Sequence, residues 1–157
     1  MASRRRARLY ALQALYARDV HHQVTLETRC SSNSEEQLDL FWVTQEEDGL
    51  EYLTGRLAEK EEMEFASRLF DGVISHTPSI DSEIESVSEN WSLDRMSNVD
   101  RNILRLAVYE LLKCDDIPIR VSLNEAIEIS KKYSVKDASR FVNGILDKIS
   151  VRLKPKV

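Results

Sequence analysis

Glycine and proline are scarce. The 157 residues hold 4 Gly and 3 Pro. A β-sandwich or barrel turns roughly every 8–12 residues and needs more of both, so the composition counts against either. Cysteine is scarce too. Cys30 and Cys114 stand far apart with no CxxC spacing, which predicts two reduced thiols in a cytoplasmic protein. Long apolar runs are missing. Arg105 interrupts the longest, so nothing in the sequence reads as a membrane span. The arginines near the N-terminus are followed by no apolar stretch or small-residue cleavage site, so they are not a secretory signal. His21, His22 and His76 have no partner at metal spacing. The adjacent pair His21-His22 reads as surface residues of a polar loop, and no metal site is expected. No GxGxxG, GxxxxGK[ST] or GxSxG occurs, and four scattered glycines cannot build a phosphate loop. The acid pairs of residues 35–64 lie on exposed faces of predicted helices and read as solvated. The sequence therefore predicts no catalytic residue and no cofactor.

What is present is helix. The hydrophobic share is 42% and the charged share 31%, a globular balance. Leu9, Leu12, Tyr16 and Val20 recur at three- and four-residue steps, predicting an amphipathic helix from about Ser3 to Val20. Ser34 with Gln37 predicts a capping box before Leu38, Phe41, Trp42 and Gln45. Residues 50–58 fit a short helix or a loop. A helix over 59–75 turns Met63, Ala66, Phe70, Val73 and Ile74 inward. Thr77 as N-cap and Pro78 at the first helical position then open a stripe of Ile80, Ile84, Val87 and Trp91. Ser97 caps a helix bearing Ile103, Leu104, Ala107, Val108, Leu111 and Leu112. Ser122 with Glu125 predicts another capping box. Ser134 caps a last helix whose inner face is Ala138, Phe141, Val142, Ile145, Leu146 and Ile149. The expectation is about seven helices in one all-α domain.

The charge is unevenly placed. The formal net charge is −5, yet residues 1–26 carry +4, residues 27–64 carry −9, residues 65–99 carry −4 and residues 100–157 carry +4. Basic ends suit a polyanion and an acidic middle suits a basic partner, although a solvated mixture of faces explains the same numbers. The first helix opens with Arg4, Arg5, Arg6 and Arg8, and no acid precedes Asp19. A cation at a helix N-terminus opposes the macrodipole and costs roughly 0.3–1 kcal/mol. Fanned guanidinium groups at such a terminus suit a phosphate backbone, and Arg also stacks on bases. A second basic group gathers near the last helix: Lys131, Lys132, Lys136 and Arg140, with Phe141 beside it, and Arg101 and Arg105 four apart on an earlier helix. Basic residues around an aromatic suit single-stranded nucleic acid. Phe141 also falls on the apolar stripe, where core packing is its alternative role. Asn124, Asn143 and Gly144 read as helix packing.

The order of these motifs resembles the NusB family of bacterial transcription antitermination factors. The resemblance lies in Arg4 to Tyr16 and in Asp100-Arg101-Asn102-Ile103-Leu104-Arg105 through Leu111. It continues in Ile117-Pro118, in Asn124-Glu125-Ala126-Ile127-Glu128, and in Arg140-Phe141-Val142-Asn143-Gly144-Ile145-Leu146-Asp147-Lys148. Residues 27–58 carry none of the matching motifs, and their polar composition suggests a divergent or longer connection. The resemblance implies an all-α fold of two packed helical bundles, with residues 1–157 as a single RNA-binding domain. It implies binding to boxA RNA of ribosomal operon leaders together with the small-subunit ribosomal protein NusE. It also implies contact with the RNA polymerase elongation complex through other Nus factors, in aid of reading through terminators. Carried over by position, the RNA surface comprises Arg4, Arg5, Arg6, Arg8 and Tyr16, then Lys136, Asp137, Arg140 and Phe141, joined by Arg101 and Arg105. Leu9 and Tyr10 depart from the family, which usually has a carboxylate and a small residue there. Some members dimerise, so a homodimer that buries the arginine helix is one arrangement the resemblance allows.

Two other readings fit the same residues. One is the NusB-like domain fused to RNA cytosine methyltransferases, which needs a separate catalytic domain; with the last residue at Val157, that reading is expected to hold only for a truncated chain. The other is a protein scaffold in which the arginine helix packs on an acidic partner. Salt-dependent RNA binding separates that scaffold from the antitermination reading.

Overall fold

The computed structural model describes residues 2–25, 58–88, 92–135 and 137–153. The expected helix after Ser34, Cys30, Trp91 and Lys136 lie outside the described residues. Six α-helices and one 3₁₀ turn are present among the described residues, with no strand. The all-α expectation holds. The helices belong to two compact units, residues 1–71 and 72–157.

The first unit holds α1 (Arg4–Thr25) and most of α2 (Lys60–Ser75). The backbone of His21 and His22 continues α1 and forms no loop. Ser3 caps α1, its Oγ accepting the Arg6 N–H at 3.3 Å. This is the bond an N-cap hydroxyl makes to satisfy an orphan amide of the first turn. Ala7, Leu9, Tyr10, Ala11, Leu12, Ala14 and Leu15 are buried along α1, and Phe65, Ala66, Leu69 and Phe70 along α2. The small residues Ala7, Ala11 and Ala14 recur at helical steps within that stripe.

In the second unit, α3 (Thr77–Val87) and a 3₁₀ turn (Leu93–Arg95) lead into α4 (Asn98–Lys113), followed by α5 (Ile119–Tyr133) and α6 (Ala138–Arg152). The central helix is α4, which packs on α3, α5 and α6. Its sequence suits that place: Ile103, Leu104, Leu106, Ala107, Val108, Tyr109 and Leu111 are all buried. A helix apolar on most of its circumference must be covered on several sides. Ser97 caps it as expected, accepting the Asp100 N–H at 3.1 Å.

Three expected helix starts differ. Thr77 is not an N-cap. It is the first residue of α3, and its hydroxyl donates back to the Val73 carbonyl at 2.7 Å. Ser122 is not an N-cap either. The start of α5 lies three residues earlier, after Pro118, whose extended backbone (ψ 144°) serves as the cap. Proline fixes φ and has no N–H of its own, so it tolerates a helix start, and it supplies no side-chain bond to the first-turn amides there. The Ser122 hydroxyl instead donates to the buried Glu110 carboxylate at 3.1 Å, joining α5 to α4. Ser134 ends α5 and donates to Asp100; α6 begins after Asp137.

Candidate nucleic-acid interface

The four arginines of α1 separate into two pairs. Arg4 and Arg5 are exposed. Arg6 is turned inward: its Nη1 lies 3.4 Å from Glu62 Oε1, and its Nη2 donates to the Tyr10 hydroxyl at 2.9 Å. Arg8 is only 4% exposed. The fan of four solvated cations expected from the sequence is therefore a pair at the surface above a pair within.

Glu62 organises this end of the unit. It is 1% exposed, so its charge needs partners. One oxygen accepts the Ser3 N–H at 2.9 Å. The other accepts the Glu59 N–H at 2.9 Å and faces Arg6. The Glu59 bond is half of a capping box at the start of α2. A single carboxylate thus ties the first turns of α1 and α2 together and neutralises one of the clustered cations.

Phe65, one turn along α2, carries the guanidinium groups. Arg4 lies 4.7 Å from its ring centroid, Arg8 5.6 Å and Arg68 5.9 Å. These are cation–π distances. Neither Glu62 nor Phe65 was singled out by the sequence pattern. The available signal was indirect: four arginines with no local acid, and an acid run opening a helix elsewhere in the chain. Further along α1, Tyr16 is 44% exposed.

In the second unit the expected residues also divide. Arg105 is a structural cation, its Nε and Nη2 donating to the two oxygens of Asp81 at 2.8 and 3.0 Å. This two-bond fork fastens α4 to α3. Arg101 reaches the Leu93 carbonyl at 3.3 Å and the Asn98 side chain. Both are half-buried and turned to protein partners. Asp137 and Arg140 are exposed, and Phe141 is half-buried between the two roles the sequence allowed it. Asp137 is the one described non-glycine residue with positive φ, at 70°. Asp tolerates this left-handed conformation through its short polar side chain. The strained residue presents its side chain at the entry to α6, one turn before Phe141. Among the described residues no cluster of three or more His, Cys, Asp or Glu could hold a metal, and no helix is long and apolar enough to cross a membrane.

A model of the NusB family matches residues 5–151. The chain belongs to the NusB family. It is 45% identical over 152 residues to the transcription antitermination protein NusB of Anaeromyxobacter sp. (strain Fw109-5), covering 97% of this chain and 92% of that protein. It is 40% identical to the NusB of Myxococcus xanthus (strain DK1622), covering 98% of each. Among solved structures, NusB of T. maritima aligns with a TM-score of 0.76 and 37% identity, over 99% of this chain and 96% of that one. A structure of the antitermination factors NusB and NusE in complex with dsRNA aligns at 0.74 with 30% identity, over 96% and 97%. The family match extends across residues 27–58, which the sequence reading set apart as a divergent connection.

Proposed function

We propose that this protein is a non-enzymatic, RNA-binding antitermination factor that binds boxA-type RNA together with NusE. It would act on the RNA polymerase elongation complex through other Nus factors. The observation that carries this reading is the near-complete alignment, at 30% identity, with a NusB that was solved with NusE and RNA. The local chemistry agrees with it. Arg4 and Arg5 are exposed in the first turn of α1, where amide N–H groups and the helix dipole already favour an anion. Asp137, Arg140 and Phe141 offer polar, cationic and aromatic groups within one turn, which suits an unstacked base and its phosphate. Arg101 and Arg105 contribute by fixing α4 rather than by reaching RNA.

A mobility-shift titration with boxA-type and scrambled RNA, with and without NusE, tests the reading. Preference for the boxA-type RNA, strengthened by NusE, supports it. Equal and weak binding of both RNAs, with or without NusE, would sink it in favour of a protein scaffold. Sedimentation of the same samples reports whether a homodimer competes with RNA for α1.

A further inference from the structure

Arginine clusters at a helix start are unfavourable twice over, once against the dipole and once against each other. Here the second cost is increased by bringing a third chain position, Arg68, to the same place. Arg4, Arg8 and Arg68 all lie within 6 Å of the centroid of Phe65. The ring is not an ordinary core residue. It is 9% exposed, and three guanidinium groups border its ring. Arg4 has the shortest of the three distances and is itself exposed. Arg8 is buried against the same ring and props it.

A long arginine at a helix start samples many rotamers, and binding a ligand through it costs the entropy of choosing one. A guanidinium laid on an aromatic face has already chosen. The N–H groups on a guanidinium's edge are donors that match a phosphate, and its plane is one on which bases stack. We propose that Phe65 is a positioning residue for RNA binding, its ring holding the Arg4 guanidinium in the pose that meets the RNA. This rests on the RNA-binding reading above and adds a residue of α2 to it. Phe65 acts through Arg4 and touches no RNA.

The test compares boxA-type RNA binding, with NusE present, for the wild type, Phe65→Leu, Phe65→Tyr, Arg4→Gln and the Arg4→Gln/Phe65→Leu double variant. Thermal unfolding of each fixes a temperature at which all are folded. Phe65→Leu keeps the apolar bulk and removes the ring quadrupole. It should weaken binding about two- to fivefold, the scale of an exposed cation–π contact. Phe65→Tyr should restore wild-type affinity. In the Arg4→Gln background, Phe65→Leu should add no further loss, since the residue it positions is gone. Wild-type or tighter binding by Phe65→Leu overturns the proposal, as does an equal loss in both backgrounds. A wild type that binds no RNA overturns the RNA-binding reading and this proposal with it. A second measurement needs no variant. The Arg4 Nε–H resonance should be shifted by the ring current in the unbound protein and stay shifted in the RNA complex. A shift that vanishes on binding means that Arg4 leaves the ring, and the proposal fails.

Discussion

Two helical glycines answer the same substitution in opposite directions. A Cβ on Gly72 would sit 2.0 Å from Cζ of Tyr109, whose ring is buried against that point of α2. Gly72→Ala is therefore expected to lose about 1–3 kcal/mol through overpacking, despite alanine's better helix propensity. Gly144, exposed on α6, has no atom within 4 Å of its added Cβ. Gly144→Ala is expected to gain roughly 0.5–1 kcal/mol from the stiffer backbone. Thermal unfolding of the two variants checks the pair, and midpoints that move the same way would refute the contrast. Ser122 gives a second test at this scale. Removing its hydroxyl leaves the buried Glu110 carboxylate one donor short, so Ser122→Ala should cost about 1–3 kcal/mol. A urea midpoint unchanged by Ser122→Ala would show that the bond to Glu110 contributes nothing to stability.

Apolar periodicity made the helices legible, and Ser97 shows a cap read correctly from the chain. The starts at Thr77, Ser122 and Ser134 were misread for one reason. A hydroxyl before an apolar run is an N-cap signal only if nothing else takes the hydroxyl, and here the Val73 carbonyl, Glu110 and Asp100 do. Glu110 and Asp100 come from a distant helix, of which local spacing carries no record, while the Val73 carbonyl, four residues before Thr77, lies in the last turn of the preceding helix. The interface was read in the same way. The arginines of α1 were visible as a cluster, while Glu62, which turns Arg6 inward, and Phe65, which Arg4 and Arg8 both border, belong to a distant segment. The division lowers the expected salt response. Single-stranded RNA binding loses affinity with a log–log slope of about −0.7 per neutralised phosphate. Arg4→Gln with Arg5→Gln should flatten the slope by roughly 1.4, and adding Arg6→Gln and Arg8→Gln should flatten it little more while lowering stability. Salt titrations of the two- and four-residue variants decide this, and a four-residue change near 3 would return Arg6 and Arg8 to the RNA.

Across the whole chain, opposite charges are segregated by segment: residues 27–99 carry net −13 from the −9 and −4 of their two parts, between basic ends. Pairs such as Arg6 with Glu62 and Arg105 with Asp81 join the acidic middle to the basic ends, and the excess charge beyond such pairs acts through the field. Ribosomal proteins are generally basic, so association with NusE is expected to slow as salt rises and the Debye length shrinks. Stopped-flow association between low and physiological ionic strength measures it, and a rate indifferent to salt would mean an interface without electrostatic steering. The all-helical architecture of the described residues was legible at this scale. The balance of the four segments was legible too, because charge can be counted without knowing where it folds.

Chain ends normally exchange their amide hydrogens with solvent as fast as an unstructured peptide does. The cradle at Glu62 sets an exception. Its two oxygens hold the amide of Ser3 and the amide of Glu59 at the same 2.9 Å. Neither proton can leave until the carboxylate lets go, and one rotation of that side chain frees both. The deuterium uptake of Ser3 should therefore lag behind that of an ordinary residue just before a helix and keep pace with Glu59, as if the heads of α1 and α2 shared a clock. Uptake at Ser3 as rapid as in an unfolded peptide would show that the clock does not run.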